Sequence, residues 1–135
     1  MKPEYIVYVL TFLSAVVVVL TRVRLSQARA AGQAQVGMGT VNAHTACGVL
    51  AIVLWVFFLV TGHNDSWVGV VSLFFYWITA LLGLMILMRW KPSRGKHASG
   101  TADDRWSEGP GLSVLAHVGM LVGVFVFTWY FATHS

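Results

Sequence analysis

Five histidines, at positions 44, 63, 97, 117 and 134, are the side chains of this sequence best suited to ligating a metal or moving a proton. Two of them, His44 and His117, fall within or at the edge of long apolar runs that contain no Asp, Glu, Lys or Arg. An ionisable group at such depth is costly and is a candidate for function by default. The chemistry open to a pair of imidazoles in apolar surroundings is ligation, because each neutral ring offers one nitrogen lone pair and two rings at one level can take both axial positions of a haem iron. The competing account of His44 is structural: a capping or hydrogen-bonded residue near a helix end. Other constellations are missing. Asp103, Asp104 and Glu108 are scattered in a charged stretch and form no acid/base pair, and the single Cys47 makes neither a disulfide framework nor a CxxC site. Gly37-Met38-Gly39 is too short for a phosphate loop and follows no strand. No catalytic residue and no metal cluster is assigned.

The elements that position the two histidines follow from composition. Of the 135 residues, 57% are hydrophobic and only 10% charged, and mean hydropathy is +0.72. Soluble domains carry about 25% charged residues, so lipid must cover much of this molecule. Apolar runs of spanning length occur at about residues 5–21, 43–61, 68–88 and 112–132. Period-2 alternation is absent, which excludes a β-barrel, and each run is expected to be a helix. The expected fold is all-α: one integral membrane domain over residues 1–135, with four transmembrane helices in an up-and-down bundle.

Orientation follows from charge. Eight of the nine Lys and Arg lie in the linkers at about residues 22–42 and 89–111, which places both linkers in the cytoplasm and both termini outside, in an inner (plasma) membrane. The same topology accounts for the net charge of +4 without a nucleic-acid partner. Because Arg22, Arg24 and Arg29 follow the first apolar run instead of preceding it, that run reads as a retained helix and not a signal peptide. Pro3 suits a first turn, Thr40 or Asn42 is placed to cap the second helix, and Gly109-Pro110-Gly111 interrupts the chain before the fourth. The linkers themselves are expected to be partly disordered until a partner or lipid orders them.

On this frame His44 and His117 stand at similar depth on the second and fourth helices, which run in the same direction and lie diagonally across an up-and-down bundle. The layout resembles the haem-binding four-helix bundle of the cytochrome b class. That resemblance implies His44 and His117 as axial ligands of haem b, with Arg22, Arg24 or Arg89 near the propionates. A second haem is not expected: His63 and His134 are each rotated roughly 100° from the faces of His44 and His117, at about 100° per residue. His97 belongs to the charged linker.

Small residues recur at helix-contact spacing, as Ala43, Cys47 and Ala51 in the second helix, Thr79 and Gly83 in the third, and Gly119 and Gly123 in the fourth. They suit packing within the bundle or against another chain. Trp55 and Trp77, with neighbouring Phe residues, fall near mid-membrane, where aromatic packing explains them better than a quinone crevice. The whole chain also resembles the small four-helix accessory membrane subunits of actinobacterial respiratory (cytochrome bcc–aa3) supercomplexes. That likeness implies a non-catalytic accessory or assembly subunit, without a cofactor, packed against larger integral membrane subunits such as a cytochrome oxidase or a bc-type complex. The sequence therefore places an accessory subunit first. A small electron-carrying b-type cytochrome is the alternative, and a small transporter or pore comes last because the spans lack an embedded charge.

Overall fold

The computed structural model describes residues 2–32, 36–61, 66–90 and 110–134. Among these residues the secondary structure is four helices: α1 (Pro3–Ala30), α2 (Met38–Val60), α3 (Ser66–Trp90) and α4 (Pro110–His134). All four are long and apolar enough to cross a membrane. α2 packs most extensively against α3, α3 also against α4, and α1 closes the ring by touching α2 and α4. The bundle is thus up-and-down, with α2 and α4 on one diagonal. Its outer surface is apolar, with Phe12, Phe57, Phe74, Leu81 and Phe125 all exposed, as suits a lipid bilayer.

Helix boundaries depart from the hydropathy boundaries at one end in particular. α1 continues nine residues past Thr21 to Ala30, because Arg22, Arg24, Leu25, Gln27 and Arg29 are good helix formers and nothing among them breaks the ladder. It stops where Gly32 adopts a φ of 71°, a left-handed conformation that side chains resist and that commonly ends helices. The basic residues expected in a linker therefore ride on a helical turn. α2 begins at Met38 with Gly37 as its N-cap and no capping side chain, so Thr40 and Asn42 lie inside the helix and do not cap it. Pro3 does occupy the first turn of α1.

The core divides in two. The main cluster is centred on Trp55, Phe58, Tyr76, Val124 and Phe127, whose rings interlock: Trp55 and Phe127 have centroids 5.0 Å apart, Tyr76 and Phe127 5.1 Å. Two buried polar links tie helices together inside it. Ser72 Oγ donates to the Ala51 carbonyl at 2.8 Å, joining α3 to α2, and Ser14 Oγ lies 3.1 Å from the Tyr76 hydroxyl, joining α1 to α3. A smaller cluster of Val36, Val41 and Ile86, with Leu25 against it, fills the end of the bundle where α1 turns into α2. That end also carries Arg22, Arg24 and Arg29 and is called the basic end below.

Candidate functional site

His44 lies six residues into α2 and His117 seven residues into α4, so at 1.5 Å per residue both stand roughly 9–10 Å from the starts of two parallel helices. Both point into the bundle. His44 is buried, His117 is partly so, and their ring centroids are 6.4 Å apart with ring planes 40° from parallel. The diagonal pairing expected from the sequence is the pairing the structure makes.

The polar environment of His117 fixes its chemistry. Its Nδ1 lies 2.7 Å from the carbonyl oxygen of Ser113, one turn earlier on α4. A carbonyl only accepts, so Nδ1 carries the proton and Nε2 is left with its lone pair. That Nε2 is buried and has no hydrogen-bond partner among the described residues. A buried acceptor without a partner is uncommon and requires a reason. An imidazole whose outer N–H is held by a backbone carbonyl while the inner nitrogen faces the protein interior has the arrangement of a metal-ligating histidine.

Facing both rings is a glycine of α3. A Cβ built on Gly83 of α3 would lie 2.8 Å from His117 Cδ2, 3.1 Å from His117 Nε2 and 3.1 Å from His44 Nε2. Both Nε2 atoms thus converge on one bare stretch of α3 backbone, and a side chain at position 83 would fill the space they face. Above the pair, Gly48 lets α2 approach α1 and α3, where an added Cβ would meet Val18 at 2.8 Å and Thr79 at 3.3 Å.

The basic end adds charge beside the pair. Arg24 Nη1 donates to Ser113 Oγ at 2.7 Å, so α1 grips the same residue whose carbonyl orients His117. Arg22 Nη1 donates to Asn42 Oδ1 at 2.6 Å, two residues from His44. Arg89 is the last residue but one of α3.

The remaining candidates separate. Gly119 is exposed, and Cβ atoms added at Gly119 or Gly123 would meet nothing within 4 Å. Ala43 is also exposed and Cys47 half-buried, whereas Ala51 is wholly buried, its carbonyl accepting from Ser72, and so faces this chain's own core. His134 is exposed and stacks on Tyr130 with centroids 4.5 Å apart. His63, His97 and the stretch from Lys91 to Gly109 lie outside the described residues. No group of three or more His, Cys, Asp or Glu able to hold a metal ion occurs among the described residues.

From the sequence, Gly83 reads only as a helix-contact residue. Its part in the site is set by α3 lying between α2 and α4, and spacing within α3 alone does not reveal that. Ser113 went unnoticed because the group that matters is its backbone carbonyl. No protein-family model matches the chain, and no curated protein or solved structure matches it either.

Proposed function

We propose that the protein is a small membrane cytochrome that holds one haem b between His44 and His117. The observation that carries this reading is the convergence of two interior imidazole nitrogens, one of them buried without a partner, on the backbone of Gly83. Two imidazoles sharing one metal have ring centroids roughly 6 Å apart, given metal–nitrogen bonds of about 2 Å; the rings here are 6.4 Å apart. The donor set fits haem iron better than a free metal ion, because a structural zinc site wants four ligands and only two converge.

The residues have distinct tasks. His44 and His117 would hold the haem iron through their ring nitrogens; the Ser113 carbonyl holds the His117 ring in the tautomer that leaves Nε2 its lone pair; Gly83 leaves room beside both rings. Arg22 and Arg24, each already hydrogen-bonded at the basic end, would supply positive charge for the acidic groups of a porphyrin. When bound, haem supplies a one-electron ferric/ferrous couple, and the buried apolar walls exclude water from it. In this reading the basic end faces the cytoplasm of an inner membrane, following the charge bias of the connections.

The test is a reduced-minus-oxidised absorption spectrum of the full chain purified gently from its own membranes, with haem quantified per chain. A stoichiometric b-type spectrum that disappears in His44→Ala and in His117→Ala is the expected result. A colourless native chain that is folded would overturn the reading.

One observation favours a second role, as an accessory or assembly subunit of a larger membrane complex such as a respiratory one. Gly119 is exposed on α4 and a Cβ added there would meet nothing within 4 Å, and small residues allow close backbone approach of a neighbouring transmembrane helix. Gly119→Leu would then abolish copurification with larger subunits while leaving the spectrum unchanged. Retained copurification removes this role.

A further inference from the structure

The core positions that meet at the histidines recur every seven residues. On α2, His44 is followed by Ala51 and Phe58, all three buried. On α4, His117 is followed by Val124 and Phe131. On α3, which runs the other way, Gly83 is preceded by Tyr76 and Gly69. In left-handed bundles a seven-residue step returns to the same face, so each series stays on the interior. The volumes alternate to match: where α2 and α4 bring rings, α3 brings glycine, and where α3 brings Tyr76 the partners shrink to Ala51 and Val124.

The same construction stands at both ends. A Cβ on Gly83 would strike His117 and face His44 Nε2; a Cβ on Gly69 would strike Phe131, at 2.5 Å and 2.8 Å, and face Phe58 Cδ2 at 3.1 Å. The ring pair is 6.4 Å apart, centre to centre, at the histidine level and 5.5 Å at the phenylalanine level. Fourteen residues separate the two levels on each of the three helices, which is roughly 21 Å.

We infer that the α2–α3 end of the bundle contains a second copy of the histidine niche, closed by the Phe58 and Phe131 rings, so that each chain holds haem at the basic end only. The haem part of this inference rests on the proposed function; the duplication of the niche rests on the two glycines alone. A phenyl ring has the size and placement of the imidazole but no lone pair, so it fills the niche by dispersion instead of ligating. The consequence is one-sided electron exchange: donor and acceptor must both reach the molecule from the end carrying Arg22 and Arg24, since aromatic packing occupies the other half.

The experiment installs ligands at the closed level by combining Phe58→His with Phe131→His in the full chain, in the native background and in one carrying His44→Ala and His117→Ala. Haem per chain is measured by pyridine haemochrome. The expected ratios are one for the native chain, two for the double variant, and one for the quadruple variant, with low-spin spectra throughout. A folded double variant, helical by circular dichroism and monodisperse, that holds no more haem than its parent in either background would overturn the inference. A native chain without haem beside a quadruple variant with one would sink the proposed function and leave the duplicated niche standing. If the double variant fails to fold, Phe58→Ala with Phe131→His removes bulk and supplies one ligand. It should add one five-coordinate, high-spin haem, and a folded protein lacking it counts against the inference.

Discussion

At the scale of single residues the site depends on something missing as much as on the imidazoles. Replacing Gly83 by alanine would ordinarily favour a helix by about 1 kcal/mol. Here the added methyl would stand 2.8 Å from His117 Cδ2, and overpacking of that kind costs about 1–3 kcal/mol. The second effect wins, and the ring that must yield is a proposed ligand. Gly83→Ala is therefore expected to lower haem retained per chain at least several-fold, whereas Gly39→Ala, whose Cβ meets nothing within 4 Å, leaves it unchanged. Equal retention in the two variants would show that position 83 plays no part. The histidines themselves are legible in the sequence because no Asp, Glu, Lys or Arg lies in the apolar runs at 5–21, 43–61, 68–88 and 112–132. The choice between a structural and a ligating His117 was not, since it turns on Ser113 carbonyl geometry and an orphaned Nε2 that only the packed bundle displays.

At the scale of elements, hydropathy located all four helices but misjudged the length of α1, because it reports where lipid ends and not where a helix ends. The nine additional residues bring Arg24 to Ser113 and so couple α1 to the site. The left-handed Gly32 that stops α1 is then a structural requirement: Gly32→Ala is expected to cost about 1 kcal/mol, the usual penalty for a side chain in that conformation. Thermal unfolding in detergent would show it as a lowered midpoint, and an unchanged midpoint would mean the turn relaxes freely. Between helices, the Ser72 hydroxyl bonded to the Ala51 carbonyl is the single polar tie from α3 to α2 among the hydrogen bonds described above. Interhelical hydrogen bonds in membranes average about 0.6 kcal/mol. Ser72→Ala should be correspondingly mild, while Trp55→Ala, which removes a fully buried ring at the centre of the aromatic cluster, should cost about 3–5 kcal/mol. A reversal of that order would place the cohesion of the bundle in polar ties and not in ring packing. The seven-residue alternation of rings and small residues was present in the sequence all along. It becomes readable only once the three helices are set in register, because no single helix contains both halves of the complementarity.

At the scale of the whole molecule, the up-and-down ring of helices puts α2 and α4 on one diagonal and running in the same direction, which is why two histidines far apart in sequence reach one depth. Which side of the membrane that depth belongs to is proposed from charge. The stretches at about residues 22–42 and 89–111, the end of α1 with the connection to α2 and the end of α3 with the connection to α4, gather eight of the nine Lys and Arg, and such residues are retained on the cytoplasmic side during insertion. The lone Cys47 makes this directly measurable, since Cys47→Ala yields a background without thiols. In that background Lys2→Cys should react with a membrane-impermeant maleimide added to intact cells, and Ala30→Cys, at the far end of α1, should react only after the membrane is opened. The opposite pattern would turn the molecule over and move the proposed haem level to the outer leaflet. On the proposed function, electron donors would then have to come from outside the cell membrane, because Phe58 and Phe131 fill the opposite level, where α2, α3 and α4 repeat the same arrangement.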